Sequence, residues 1–245
     1  MSLVEEFDKK GNWLFKYRSF LPVALYPIAT LVLIVDNSQH IKINPLYYSI
    51  ICLSVSLLGQ LIRALVIGFT PKGTSGRNTS KQVAEVLNSK GIYSVVRHPL
   101  YLGNYLMWLG IILYVNNVWF AIVCSLLFWV YYERIMFAEE QFLKGKFGES
   151  YTKWSLTAPP FFPKLKGWVN ADLEFSFKNI LKREYNGLFA VGVSFVFLDI
   201  FKNYLDTKTF EISTFWLYTF VSIFAIFIIL RSLKKYTKVL NVGGR

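Results

Sequence analysis

The residues best suited to chemistry begin with the tripeptide Arg97-His98-Pro99, which stands between a polar segment and an apolar run. Proline disfavours helical geometry in the residue before it and suits the first turn of a helix. The sequence therefore predicts that His98 lies at the start of a helix. Free backbone N–H groups and the helix dipole favour an anion there, such as a carboxylate.

A pair of carboxylates, Glu139-Glu140, follows the next two apolar runs. Met136, the glutamates, Leu143 and Phe147 recur at helical spacing, which predicts one mixed stripe on a helix that continues out of the preceding apolar run. Carboxylates among aromatic residues close to a membrane are costly without a cationic or hydroxyl partner. The alternative is a solvated acidic patch.

The two segments flank a short hairpin of apolar helices, whose turn is predicted at Asn116-Asn117. We therefore expect His98 and the glutamate pair to lie near one another. Such a site suits a ligand with a carboxylate, a sulfonium and ribose hydroxyls, since carboxylates accept from ribose and aromatic faces attract cations. Other ligands are equally allowed, and Arg97 and His98 could instead anchor the chain to lipid phosphates.

The elements that must position these residues are apolar helices. The chain has 245 residues, of which 54% are hydrophobic and 18% aromatic, more apolar than is usual for a soluble domain. About six runs approach the roughly 20 residues that a membrane-crossing helix needs. They are residues 19–35, 46–69, 101–115, 118–137, 185–201 and 213–231. We expect an all-α, polytopic membrane helical bundle with no Rossmann domain, since no glycine-rich nucleotide loop in a strand–helix context is present.

The charge distribution predicts the orientation of this bundle. With a cytoplasmic N-terminus, 23 of the 27 Lys and Arg residues fall in cytoplasmic segments and three on the opposite side. This bias is typical of the positive-inside rule. We expect both termini and the segments that carry His98 and the glutamate pair on the cytoplasmic face, in a bacterial inner membrane. His40 falls on the other side, which excludes a multi-histidine metal site.

Other features exclude further classes. The net charge is +12. Because the Lys and Arg residues lie between apolar runs, this charge suits binding to anionic lipids better than binding to nucleic acid. Cys52 and Cys124 lie within apolar runs, so they are expected to be core residues and not a metal or disulfide pair. The first ten residues lack the pattern of a cleaved signal peptide.

The pattern Gly91-x-Tyr93-x-x-x-Arg97-His98-Pro99-x-Tyr101-x-Gly103, followed by Glu139-Glu140-x-x-Leu143-x-x-x-Phe147-Gly148-x-x-Tyr151, resembles the integral membrane methyltransferases. These include isoprenylcysteine carboxyl methyltransferases and phospholipid N-methyltransferases, and the resemblance covers roughly residues 60–163. It implies S-adenosylmethionine as cofactor, bound in a site at the cytosolic end of the bundle and without a Rossmann domain. The implied cofactor contacts are Tyr93, His98, Pro99, Tyr101, Leu102, Gly103, Glu139 and Glu140.

The resemblance also implies that Arg134 and Glu139 form the arginine–glutamate pair near the transferred methyl group. Trp154 departs from the pattern, because a second tyrosine is common there. The matching core is predicted as residues 46–163, preceded by an N-terminal segment and first span (1–45). Residues 164–245 are predicted to form an interfacial helix and two further spans, whose role the pattern does not indicate.

Three arginines are candidates for binding the methyl acceptor: Arg63, Arg77 and Arg97. Arg63 lies inside the second span, where a charge is costly and usually functional, although it could snorkel to the interface. Arginine contacts suit phosphate and carboxylate, so we expect a membrane lipid with an anionic oxygen as acceptor, such as lipid A phosphate or a carboxylate. The alternatives are an amine headgroup, an isoprenylcysteine carboxylate or, in another class, a small transporter or a scaffold. The sequence does not indicate an oligomeric state.

Overall fold

The computed structural model describes residues 2–36, 43–71, 73, 82–164 and 166–244. His40 and Arg77 lie outside the described residues. Within them the chain is helical, and one isolated backbone bridge joins Gly91 and Val169. The helices are α1 (Leu3–Tyr17), α2 (Leu25–Val35), α3 (Pro45–Phe69), α4 (Pro99–Tyr114), α5 (Val118–Phe147), α6 (Glu149–Ser155), α7 (Phe177–Thr207) and α8 (Thr214–Tyr236). Two 3₁₀ turns lie at Leu21–Ala24 and Ile92–Ser94.

Four helices of the described chain, α3, α5, α7 and α8, are long and apolar enough to cross a membrane. The pair formed by α1 and Leu21–Val35 passes the same test together, but it is bent by 77°. The α4 helix is apolar and shorter. The prediction of an all-α bundle of membrane helices is confirmed, and the predicted first span is the second arm of the bent pair.

Helix α1 was not predicted. Ser2 and Glu5 form a reciprocal capping box at its start, a pattern that the sequence shows as Ser-x-x-Glu. Gly11 of α1 packs against Arg134 and Ala138 of α5 so closely that a side chain would collide with them. This contact lays α1 along the last turns of α5.

The predicted hairpin is present. Helix α4 ends at Tyr114, Asn116 adopts a left-handed conformation (φ 66°), and the side chain of Asn117 caps α5 by accepting from the N–H of Phe120. Helix α5 then continues without a break to Phe147, as expected from the sequence.

The structure differs from the prediction after residue 164, where we expected a separate interfacial helix. Residues from Phe177 onward form the first turns of α7 itself, because no proline interrupts the chain up to Thr207. Helix α7 packs against α3, α4 and α8.

Two ends of this bundle can be distinguished. The site end is where α3 ends, α4 begins and α7 begins, near Phe69, Pro99 and Phe177. The far end is where α4 and α7 end, near Tyr114 and Thr207. Arg97 and His98 are at the site end.

Candidate functional site

His98 is held in place by backbone hydrogen bonds just before Pro99. It forms the N-cap of α4, with Pro99 as the first helical residue, as predicted. The N–H groups of Arg97 and His98 donate to the carbonyls of Pro159 and Pro160, at 2.8 and 3.1 Å. The proline segment after α6 therefore fixes the tripeptide against the start of α4.

Glu139 and Glu140 meet the tripeptide from α5. One His98 ring nitrogen, Nε2, lies 2.9 Å from Glu140 Oε1, and the other, Nδ1, lies 3.6 Å from Glu139 Oε2. Arg97 Nη1 donates to Glu140 Oε2 at 2.9 Å. The cationic partners that the carboxylates needed are thus His98 and Arg97. Because Glu140 is occupied by both of them, Glu139 is the carboxylate that faces the ligand space.

The environment of His98 favours its protonated form. The side chain is buried, which by itself lowers the pKa, but hydrogen bonds and charge attraction from Glu139 and Glu140 outweigh burial and raise the pKa of His98 above its ordinary value. His98 therefore serves as a cation and a hydrogen-bond donor here, and is poorly suited to accept a proton.

Aromatic residues surround this network. The ring of Tyr101 stacks on His98 with centroids 5.8 Å apart, and on Tyr132 at 4.8 Å. Trp154 of α6 donates its indole N–H to the carbonyl of Tyr93 at 2.9 Å. Burial raises the pKa of Tyr93, and the nearby charge of Glu139 adds to this effect, so its hydroxyl stays neutral. The departure at Trp154 thus has a structural role, since it holds the turn that presents Tyr93.

A second charged group lies deeper along the helices. Arg63 of α3 donates from Nε and Nη2 to the two oxygens of Glu184 on α7, at 2.8 and 2.9 Å. Its Nη1 donates to Asn104 of α4 at 2.6 Å. Because a bidentate ion pair with Glu184 neutralises its guanidinium, Arg63 is not an isolated charge and does not extend freely to the membrane interface.

These groups enclose a cavity of 460 Å³ at the site end. That volume is within the range of small-molecule sites. Four arginines and two glutamates of the described chain line it: Arg18, Arg63, Arg97, Arg183, Glu139 and Glu184. Its apolar walls come from α1, α5 and the segment before Tyr93, including Phe15, Val83, Leu87, Phe142 and Leu143.

The predicted residues divide into those that line the cavity and those that do not. The cavity is lined by Arg63, Tyr93, Arg97, His98, Pro99, Tyr101 and Glu139. Three others lie behind it: Glu140 bonds to His98 and Arg97, Leu102 packs on the core, and Gly103 contacts Arg63 and Gly59.

Arg134 is placed elsewhere. Its guanidinium lies 3.4 Å from the centre of the Phe7 ring on α1, and it is not among the residues that line the cavity. Arg77 lies outside the described residues, so its predicted role stays a prediction.

Sequence reasoning missed Arg18, Asn104, Arg183 and Glu184, which also line the cavity. Arg18 and the pair on α7 lie outside the motifs, and nothing in their local pattern connects them to His98. The signal that was available was Glu184 itself, a carboxylate near the start of a long apolar run, which needs a cationic partner.

The polar groups of the cavity fit S-adenosylmethionine. Glu139 supplies a carboxylate for ribose hydroxyls, and Tyr93 supplies an aromatic face for a sulfonium. Arg97 Nε is buried and has no hydrogen-bond partner among the described residues, which leaves a donor for a carboxylate. No group of three metal-ligating side chains was found in the part of the chain that the structure describes.

Part of the chain is similar in sequence to known proteins. Residues 48–150 match the model of the phospholipid methyltransferase family. The protein-S-isoprenylcysteine O-methyltransferase of Schizosaccharomyces pombe is 29% identical over 117 residues, which is 47% of this chain and 50% of that protein. No solved structure matches significantly.

Two other relatives have names that refer to metal resistance. The cobalt-zinc-cadmium resistance protein CzcN of Cupriavidus metallidurans is 33% identical over 125 residues, 50% of this chain and 52% of that protein. The nickel-cobalt-cadmium resistance protein NccN of Alcaligenes xylosoxydans is 26% identical over 138 residues, 56% of this chain and 62% of that protein. The chain thus spans about half, or somewhat more, of the length of these curated relatives. The segment of residues 48–150, which is similar to phospholipid methyltransferases, contains both His98 and the Glu139-Glu140 pair.

Proposed function

We propose that this protein transfers a methyl group from S-adenosylmethionine to the headgroup of a membrane lipid, preferably to an anionic oxygen of a phosphate or carboxylate. The observation that carries the proposal is the site-end cavity, in which the matched family segment brings His98, Glu139 and two tyrosines to one wall. The ends of apolar helices line the cavity together with charged residues, so a lipid headgroup and a water-soluble cofactor can meet there.

The cofactor, when bound, supplies an electrophilic methyl group on a sulfonium. Glu139, Tyr93 and Tyr101 would hold its polar and cationic parts, and Arg97 Nε would take its carboxylate. Glu140 acts behind them, because its two oxygens hold His98 and Arg97 in position. Catalysis then rests chiefly on bringing donor and acceptor to a near-attack distance of about 3–3.5 Å.

An anionic acceptor fits the charges of the cavity. Its lining carries four arginines against two glutamates, a surplus of positive charge. An amine must lose a proton before it can attack, which requires a base. The two glutamates raise the pKa of His98 and so favour its protonated form, which has no lone pair left to take a proton from the amine. A phosphate or carboxylate needs only orientation, and this the arginines can provide.

Two acids satisfy these requirements. A lipid phosphate, such as that of lipid A, and the carboxylate of a prenylated cysteine carry the same charge type and suit the same arginines. The similarity to the isoprenylcysteine O-methyltransferase of Schizosaccharomyces pombe makes the carboxylate the second candidate.

The proposal includes the sidedness of the protein. The bias of Lys and Arg supports a cytoplasmic location for the site end and both termini, where S-adenosylmethionine is available, and we propose the bacterial inner membrane as location. Blocking single cysteines introduced at the site end and at the far end with an impermeant thiol reagent, in intact cells, tests this orientation. Blocking at the site end alone would contradict it.

The decisive experiment combines binding with product analysis. Calorimetry of the protein in detergent with S-adenosylhomocysteine should give micromolar binding that His98→Ala or Glu140→Ala abolishes. Labelled S-adenosylmethionine is then offered with vesicles of phosphatidic acid, with N-acetyl-S-farnesylcysteine or with phosphatidylethanolamine, and mass spectrometry locates the added methylene. Absence of binding would favour a transporter or scaffold, and label on phosphatidylethanolamine alone would contradict the anionic acceptor.

A further inference from the structure

The carboxylate of Glu184 stands out because it lies outside the matched family segment and yet contacts the cavity. Its side chain is 6% exposed, and its two oxygens accept from Arg63 Nε and Nη2. Gln60 Nε2 donates to the same carboxylate at 2.9 Å. A buried carboxylate with three such bonds is firmly held, and it can therefore hold its partner.

The pair lies in a deeper layer of the bundle than His98. Asn104, which Arg63 contacts, is six residues into α4 after His98, about 9 Å along a helix with a rise of 1.5 Å per residue. Arg63 is also six residues before the end of α3, and Glu184 is seven residues after the start of α7. The cavity therefore has an upper layer built by the family motifs and a lower layer, nearer the apolar middle of the bundle, built by Arg63, Asn104 and Glu184.

Arg63 still has donors to offer in this layer. A guanidinium carries five N–H groups, and the bonds to Glu184 and Asn104 use three of them among the described residues. Arg63 lines the cavity, so two N–H groups remain for a ligand there. The ion pair also reduces the cost of keeping a guanidinium among apolar helices.

The start of α7 is fastened to α3, which sets the position of Glu184. Asn179 is 1% exposed and donates to the carbonyl of Ile67 at 2.7 Å. The N–H of Ser176 donates to the carbonyl of Gly68 at 2.9 Å, and Phe175 packs on Gly68. These contacts join the same two helices that Arg63 and Glu184 connect, one to three turns further along.

We infer that Glu184 is a positioning residue, which fixes the Arg63 guanidinium so that its remaining N–H groups bind the anionic headgroup of the acceptor. In this arrangement the family motifs bind the cofactor, whereas α7, beyond residue 150, helps to select the acceptor. The inference rests on the proposed function and adds the residue pair that recognises the lipid.

The test compares Glu184→Gln with a matched variant, Asp199→Asn. Both residues are buried carboxylates on α7 that accept several hydrogen bonds, but Asp199 is at the far end. The full chain is assayed in phosphatidylcholine nanodiscs for S-adenosylhomocysteine affinity, and for KM and kcat with whichever of phosphatidic acid or N-acetyl-S-farnesylcysteine the natural protein methylates.

Glu184→Gln should raise the acceptor KM about 10- to 100-fold, because hydrogen bonds to a charged group are lost. Its affinity for S-adenosylhomocysteine should stay within about twofold, since the upper layer is intact. Arg63→Lys should raise the acceptor KM by a similar factor. The double variant, Arg63→Lys with Glu184→Gln, should have an acceptor KM no higher than either single variant, since each substitution disrupts the same ion pair. Glu184→Asp keeps the charge on a shorter side chain, so its acceptor KM should lie between that of Glu184→Gln and that of the natural protein.

Three results would overturn the inference. One is an acceptor KM for Glu184→Gln within twofold of the natural protein, and another is an equal rise of KM in Asp199→Asn, which would indicate general loosening of α7. The third is a parallel loss of S-adenosylhomocysteine affinity. If the natural protein binds no S-adenosylhomocysteine and methylates no probe, the proposed function fails, and the inference fails with it.

Discussion

The two ends of the bundle each contain a buried polar cluster, and the clusters differ in whether their hydrogen bonds are complete. At the far end, Asp199 accepts from the Tyr114 hydroxyl at 2.9 Å and from the N–H and hydroxyl of Ser213 at 2.7 and 2.8 Å. The Tyr114 hydroxyl in turn accepts from Trp216 Nε1 at 2.8 Å. This cluster joins α4, α7 and the start of α8.

The cluster at the site end is incomplete. Glu140 is saturated by Arg97 and His98, but Glu139 faces a cavity, and Arg97 Nε has no partner among the described residues. Unsatisfied buried groups are costly and usually have a reason. A buried charge alone does not identify a site, since Asp199 is more buried than Glu139. What distinguishes the site end is that two charged residues, Glu139 and Arg97, line a cavity and that Arg97 Nε has no partner among the described residues.

The largest expected effect follows from removing His98. His98→Ala leaves Glu139 and Glu140 without their shared partner, so S-adenosylhomocysteine affinity should fall by at least about 100-fold in calorimetry. Asp199→Asn serves as the far-end counterpart, and it should lower the melting temperature while leaving that affinity unchanged. Equal losses of affinity in both variants would erase the distinction between the ends.

A second comparison uses two glycines of α4 that pack against α3. A side chain at Gly103 would meet Arg63 and Gly59, whereas one at Gly110 would meet Ser56 and Cys52. Each alanine variant should cost about 1–3 kcal/mol of unfolding free energy through overpacking. Gly103→Ala should also raise the acceptor KM about tenfold, because the added methyl group displaces Arg63. Small displacements of residues that position a substrate have large effects on catalysis.

The measurements for the glycine pair are thermal unfolding and methyl-transfer kinetics on the same preparations. Gly110→Ala should keep the acceptor KM of the natural protein despite its lower stability. If both variants raise KM alike, helix spacing in general and not the position of Arg63 controls the acceptor.

The parts of this fold that sequence predicts are those set by local patterns. The spans, the hairpin at Asn116-Asn117 and the meeting of His98 with Glu139-Glu140 follow from apolar runs, turn chemistry and the need of a buried carboxylate for a partner. The capping box that starts α1 was equally local, and it was overlooked.

The sequence does not predict contacts between segments that are far apart along the chain. Glu184 follows Arg63 by 121 positions, and no period or motif connects them. Arg134 fits the family pattern by position, but the packing of α1 on α5 brings Phe7 to its guanidinium. Such contacts depend on how helices pack in three dimensions, which a single sequence does not encode in any local pattern.

A third prediction concerns pH. The pKa of His98 is raised in the folded protein, so its contribution to stability is complete below the ordinary imidazole value of about 6.5 and is lost as pH rises through the higher folded pKa. The melting temperature should therefore fall between neutral and alkaline pH. His98→Gln should flatten this part of the profile, while Asp199→Asn should keep it. A slope that His98→Gln leaves unchanged would assign the loss to other groups.

The smallest expected effect compares two indole N–H groups. Trp154 Nε1 donates to the carbonyl of Tyr93 beside the cavity, and Trp216 Nε1 donates to Tyr114 at the far end. Each phenylalanine variant removes one bond worth about 1 kcal/mol. Trp154→Phe should weaken S-adenosylhomocysteine binding about threefold to fivefold, because the turn that carries Tyr93 loosens. Trp216→Phe should lower the melting temperature and leave binding unchanged. If calorimetry gives the reverse pattern, the far-end cluster is coupled to the site, and the distinction between a cluster with complete hydrogen bonds and one with incomplete hydrogen bonds does not hold.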